Sequence, residues 1–191
     1  EPSEGIKKGN IVDLNAATQA ISRSVKRAEH TSGLEITRAL VSLAGAHVSS
    51  VNSRGTSGIT GGVVDELDVY NALDQARAIA IPSDREIVHV IQRGFSIDGQ
   101  DGIRQPIGLH GYKLEVETHI ITASAATVDN LRQCVAAAGV KEMQFVLNPL
   151  ASGVATLTEQ ERQMGVAICD IGGATTDLAI YVNGDVWHTM V

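Results

Sequence analysis

Aromatic side chains are scarce in this 191-residue chain, at 3%. Proteins that hold single-stranded nucleic acid stack bases on aromatic platforms, so the scarcity argues against that class. Basic runs are missing too: none is longer than Lys7-Lys8 or Lys26-Arg27, and the net charge is −7. Nucleic acids and anionic membranes are bound through clustered cations, so neither is expected as a direct partner, and both basic pairs read as solvated. The only thiols are Cys134 and Cys169, one in an apolar helix pattern and one in an apolar strand pattern, with no C-x-x-C. Two buried free cysteines in a reducing, cytoplasmic compartment are the expectation. No signal-peptide pattern heads the chain, and no apolar run approaches the length of a membrane span.

Catalytic and metal signatures are absent as well. None of His30, His47, His89, His110, His119 and His188 lies in H-E-x-x-H or beside a second ligand, so no metal cluster is expected. His89 and His119 fall on expected strands, where a hydrogen-bonded core or edge histidine is the common case. G-x-S-x-G, the P-loop and G-x-G-x-x-G do not occur. The acidic pairs Asp65/Glu66 and Asp98/Asp101 read as a helix cap and a turn.

What is present is an ordinary globular composition, 43% hydrophobic and 19% charged, long enough for one large or two small units. Residues 1–10 read as a linker or the tail of a preceding element. Asp13 opens a helix to about Ser32, with Gly33 as its stop. Strands are expected over Arg38–Ala46 and Val48–Ile59, with Asn52-Ser53-Arg54-Gly55 as a turn or bulge. Asp65 caps a helix to about Ala80, and Glu86–Ile97 forms a strand. The four glycines and one proline of 98–111 predict an irregular tract. Tyr112–Ala123 reads as a strand, Thr127–Ala138 as a helix, Met143–Leu147 as a strand, and Asn148-Pro149 as the start of a helix to about Leu157. Strands over 164–170, 176–182 and 185–190 close the chain, the last two joined by Asn183-Gly184. The order strand–helix–strand–helix–strand after 114 predicts an α/β layer, preceded by a smaller α+β unit packed with it as one body.

The segment Cys169-Asp170-Ile171-Gly172-Gly173-Ala174-Thr175-Thr176-Asp177 carries the most chemistry. Its glycines let a ligand approach the backbone, whose N–H groups can cradle phosphate oxygens together with the Thr175 and Thr176 hydroxyls. Asp170 is placed to hold a Mg²⁺-bound water. A hairpin whose glycines serve only the turn accounts for the same spacing equally well.

Three tracts in order, His119-Ile120-Ile121-Thr122-Ala123, Pro149-Leu150-Ala151-Ser152-Gly153 and Asp170 to Asp177, resemble the actin and Hsp70 superfamily of ATP-binding proteins. Residues 45–55, 81–91 and 98–108 narrow the resemblance to the FtsA-like family of bacterial cell-division proteins. That resemblance implies an α/β, actin-like (ribonuclease H-like) fold with partial lobes and a small α+β 1C (SHS2-like) domain. It divides the chain into 1–10 as the tail of subdomain 1A, 11–113 as 1C, 114–163 as more of 1A with the interlobe helix, and 164–191 as the start of 2A. It makes Asp170, by way of a metal-bound water, the metal-holding and catalytic residue. Gly172, Gly173, Ala174, Thr175 and Thr176 become the phosphate-binding hairpin. Ala174 departs from the family, which usually has glycine there.

The resemblance further implies ATP and Mg²⁺ as cofactors of a longer protein with at most weak ATPase activity. The other phosphate hairpin and the adenosine motif are not found, so the chain reads as an internal fragment that binds neither cofactor and is itself inactive. FtsZ, later division proteins and further copies of the protein are the implied partners. The implied location is the inner face of the cytoplasmic membrane at the division site, with membrane contact through a region outside this stretch. Two alternatives share the resemblance: a pilus-assembly scaffold related to FtsA, and an Hsp70-like or sugar-kinase-like enzyme.

Overall fold

A computed structural model describes residues 1–191, the Glu142 side chain apart. Helix α1 (Leu14–Ser32) begins where the Asp13 carboxylate accepts the Ala16 N–H at 3.0 Å, and it stops at Gly33, whose φ of 70° suits glycine. Its small residues Ala17 and Ala20 are buried, allowing close approach to α3 (Ala125–Ala137). Beside this helix pair, β3 (Arg38–Leu43) and β8 (Glu142–Leu147) run parallel with α3 as part of the crossover. Ahead of α1, the ten residues read as a linker contain a small ladder, β1 (Ile6–Lys7) against β2 (Asn10–Ile11). Gly5 accepts the N–H groups of Val12 and Asp13 and ties that ladder to the helix start.

Between β3 and α3 the chain leaves this layer and builds a second one. Strands β4 (Val48–Gly58), β5 (Arg85–Ile97), β6 (Gln100–Ile103) and β7 (Lys113–Ser124) form an antiparallel sheet in the order β4-β7-β5-β6. Helix α2 (Glu66–Arg77) starts at a reciprocal capping box between Asp65 and Asp68 and covers one face. Its Ala72 and Ala76 pack against Phe95, Ile97, Leu114 and Val116 of the sheet. Thus α1 and β3, expected within the 11–113 unit, pack instead with α3 and β8.

Three other local expectations are corrected, and one further helix appears that the sequence reading did not include. Asn52–Gly55 is neither turn nor bulge, since β4 pairs with β7 without a register shift from Val48 to Gly58. Gly55 serves close packing: a Cβ there would lie 1.9 Å from the Ala72 carbonyl oxygen. The 98–111 tract is not wholly irregular, because Asp98-Gly99, at φ 51° and 85°, turns the chain into β6. A helix, α5 (Glu159–Met164), precedes the last strands, opened by a Thr158/Glu161 capping box. Cys169 is exposed, because it faces outward on its strand, while Cys134 is buried as expected.

Helix α4 (Asn148–Thr156) then leads through α5 to β9 (Val166–Ile171), β10 (Thr176–Val182) and β11 (Asp185–Met190), an antiparallel sheet in the order β11-β10-β9. Ala179, Tyr181 and Val186 join Ile121, Leu147 and Leu150 in a core between this sheet, α4 and β7. On the contact between the two sheets, His119 is 1% exposed. Its Nδ1 donates to Asn52 Oδ1 at 2.7 Å, and its Nε2 accepts from Thr189 Oγ1 at 3.0 Å. At the root of the inserted sheet, Arg85 donates to the carbonyls of His47 and Thr122 and to Thr122 Oγ1.

Two predictions follow from this packing. Gly55→Ala forces α2 off the sheet and lowers stability by about 2–3 kcal/mol in urea denaturation. Gly58→Ala, with nothing within 4 Å of the new Cβ, changes it by less than about 0.5 kcal/mol. Burial, the neighbouring His188 and then Arg93 push the His119 pKa down to about 4 from 6.5. The unfolded chain therefore takes up this proton first. The stabilisation is complete above pH about 6.5 and lost as pH falls towards 4. The urea midpoint should fall over that interval, and His119→Gln should flatten the slope.

Candidate functional site

The hairpin between β9 and β10 forms because two apolar strands flank four small residues. Gly172 N–H donates to the Thr175 carbonyl at 2.9 Å and closes the turn. Asp170 pairs with Asp177, and Ile171 with Thr176, across the ladder. Residues 171–174 are exposed. Neither Gly172 nor Gly173 has a left-handed φ, and Ala174 is free of that strain too. A Cβ on Gly173 would meet nothing within 4 Å. The turn conformation thus does not demand glycine; what glycine contributes is backbone that no side chain covers.

The two carboxylates at the strand ends differ sharply. Asp177 is 1% exposed, on the inner face with Ala179 and Tyr181. Its Oδ2 accepts the Thr175 hydroxyl at 3.1 Å, whereas its Oδ1 is buried without a partner. Burial pushes this carboxyl above the usual carboxylate range; the Thr175 hydrogen bond opposes the shift and the Asp170 charge adds to it. Asp170 is only half-buried, and its Oδ2 accepts the Ser152 hydroxyl at 2.8 Å. Ser152 comes from α4, whose next residue, Gly153, lies so close to β10 that a Cβ would sit 2.4 Å from the Tyr181 hydroxyl.

The structure therefore brings Asp170, Gly172, Gly173, Ala174, Thr175 and Thr176 to one exposed tip, as the hairpin pattern requires. Sequence reasoning assigned no role to Ser152 or Asp177. The alternation Asp177, Ala179, Tyr181 could have placed Asp177 on the buried face; no local pattern could have aimed Ser152 at a strand. Among the described residues no group of three or more His, Cys, Asp or Glu side chains could hold a metal ion by itself, and no helix is long and apolar enough to cross a membrane. Away from the hairpin tip, at the β10–β11 turn, a cleft of about 590 Å³ lies beside the β4–β7 sheet. There Arg104 donates to the Asn183 carbonyl.

Residues 45–122 match the family model for the SHS2 domain inserted in FtsA. Along its length the chain is 42% identical over 190 residues to the cell division protein FtsA of Neisseria meningitidis, covering 100% of this chain and 46% of the relative. Over its whole length the chain is thus similar to FtsA proteins. Identity to the FtsA of Escherichia coli K12 is 34% over 190 residues, covering 100% of this chain and 45% of the relative. For the FtsA of Bacillus subtilis it is 35% over 192 residues, 100% and 44%. The chain thus spans a little under half the length of these curated FtsA relatives. Among solved structures it is similar to a chain of the PilM–PilN type IV pilus biogenesis complex, at TM-score 0.61 and 14% identity, over all of this chain and 51% of that one. That likeness concerns the fold, which is mixed α/β and actin-like. The FtsA SHS2 domain occupies the second layer, between β3 and α3.

Asp177 also generates a prediction. Its pKa is raised on folding, so its ionised form costs stability as pH rises through the folded value. Asp177→Asn should raise the stability of the ligand-free chain at pH 7 by about 1 kcal/mol, the low end of the cost of an unsatisfied buried group. The gain should shrink at pH 4. Urea denaturation at the two pH values checks both.

Proposed function

We propose that this stretch combines a protein-interaction unit with one phosphate-binding arm of an actin-like division adaptor. The whole protein, on this proposal, polymerises with ATP, links FtsZ filaments to the inner face of the cytoplasmic membrane and recruits later division proteins. The carrying observation is the end-to-end similarity to cell division proteins, with an FtsA SHS2 domain and an Asp170-to-Asp177 hairpin in one chain. The SHS2 layer is the unit assigned to self-association and to later division proteins. FtsZ binding and membrane attachment are assigned to parts outside residues 1–191.

The hairpin residues fit a phosphate group with its metal. Uncovered backbone at Gly173 and the Thr176 hydroxyl lie at the exposed turn, with the half-buried Asp170 beside them. The backbone N–H groups of Gly173 and Ala174 and the Thr176 hydroxyl would hold phosphate oxygens, and Asp170 a Mg²⁺-bound water, while the Gly172 N–H and the Thr175 hydroxyl hold the turn in shape. Bound MgATP supplies divalent charge and a phosphoanhydride bond; in this proposal its main effect is on conformation and assembly. Asp170 is kept half-exposed and hydrogen-bonded, while Asp177 is shielded from water.

A pilus-assembly scaffold is the second reading, favoured by the fold likeness to the PilM–PilN chain. The 34–43% identity to division proteins along the chain, against 14% to that structure, supports the division reading. In sedimentation with lipid vesicles, the full-length protein should bring FtsZ filaments down in MgATP. Asp170→Ala should weaken MgATP binding at least about tenfold in calorimetry, as expected for loss of a charge-assisted contact. FtsZ filaments left in the supernatant whenever vesicles and protein pellet together would end the division proposal.

A further inference from the structure

We propose that Ser152 is a positioning residue that sets the orientation of Asp170 for the metal-bound water of the nucleotide. This rests on the hairpin being a phosphate-binding arm, and it adds a residue from a different element, the α4 helix. Serine inside a helix commonly bonds back to a carbonyl four residues earlier. Thr156 does so, donating to the Ser152 carbonyl at 2.8 Å. The Ser152 hydroxyl instead crosses to β9 and donates to Asp170 Oδ2 at 2.8 Å. Among the described residues it is the hydrogen-bond partner of that carboxylate, and Oδ1 is left without one. A half-buried aspartate at a strand end is otherwise free to rotate, and it faces the like-charged Asp177. A donor on one oxygen holds the side chain and leaves the other oxygen for a ligand.

The donor is itself held. Leu150 is buried in the core shared with Ala179 and Tyr181, and Gly153 rests on the Tyr181 hydroxyl. At the end of β8, just before α4, the Leu147 N–H donates to His89 Nε2 at 3.2 Å, which binds the helix start to the SHS2 sheet. Thus α4 is fixed at its start and against β10. A serine on so constrained a helix meets the requirement that a positioning group be locked by its own packing.

The test is calorimetric titration of the full-length protein with MgATP and with ATP in excess EDTA. It compares wild type, Ser152→Ala, Ser152→Thr and Asp170→Ala, with thermal melts of each. Ser152→Ala should lose most of the gain in affinity that Mg²⁺ brings, a drop of roughly five- to tenfold for one charge-assisted hydrogen bond. Its affinity for metal-free ATP should be unchanged, and Ser152→Thr should restore the Mg²⁺ gain. An equal fall with and without Mg²⁺ would show a merely structural serine and overturn the proposal. A full Mg²⁺ gain in Ser152→Ala, with loss in Asp170→Ala, would overturn it and leave the phosphate arm standing. A full Mg²⁺ gain in Asp170→Ala would remove the phosphate-arm reading and this inference together.

Discussion

Strand β7 contributes buried side chains to all three hydrophobic clusters, and the arrangement of the molecule depends on it. Leu114 and Val116 lie under α2, Ile121 faces α4 and the β9–β11 sheet, and Ala123 meets Leu43, Val128 and Phe145 beside the parallel strands. A strand covered on both faces along half its length loses the alternation of buried and exposed positions, and from Thr118 to Ala123 every residue is buried, the polar Thr118, His119 and Thr122 included. The strand therefore transmits position: the inserted SHS2 layer cannot tilt without disturbing the core that carries the hairpin.

Polar groups at this junction work under the same constraint. His119 and Thr118 are almost fully buried, and each has a hydrogen-bond partner on β4; His119 has a second on β11. Arg85 gathers β4, β5 and β7 where the insert rejoins the parallel layer. Burying such groups is tolerable only when their hydrogen bonds are made, so they specify one docking of the two layers rather than merely adding affinity. Asp177 breaks this rule at one oxygen, where Oδ1 is buried without a protein partner.

Much of the fold was legible locally. Asp13 and Gly33 bracket α1, Pro149 opens α4, and Asn183-Gly184 makes the last hairpin, because caps and turns depend on neighbours only a few residues away. The misses share a different cause. Gly55 looks like punctuation, but it admits a helix that begins eleven residues later. Asp98-Gly99 was hidden in a glycine-rich tract although it is a hairpin signal in its own right. The strand expected over Glu86–Ile97 is found as β5, although two register shifts, between Ile87 and His89 and between Gln92 and Gly94, interrupt its alternation.

The candidate site divides along the same line. Residue order alone determined the Asp170–Asp177 hairpin, its uncovered glycines and its threonines, since a two-strand turn is written in contiguous residues. The tertiary structure decided that Asp177 is buried and half-satisfied, that Ser152 reaches Asp170, and that α1 and β3 belong with α3 and β8 rather than with the SHS2 sheet. These facts depend on which face of one element meets another distant in sequence. Local propensity and spacing carry no information about that; only the packing of the whole core settles it.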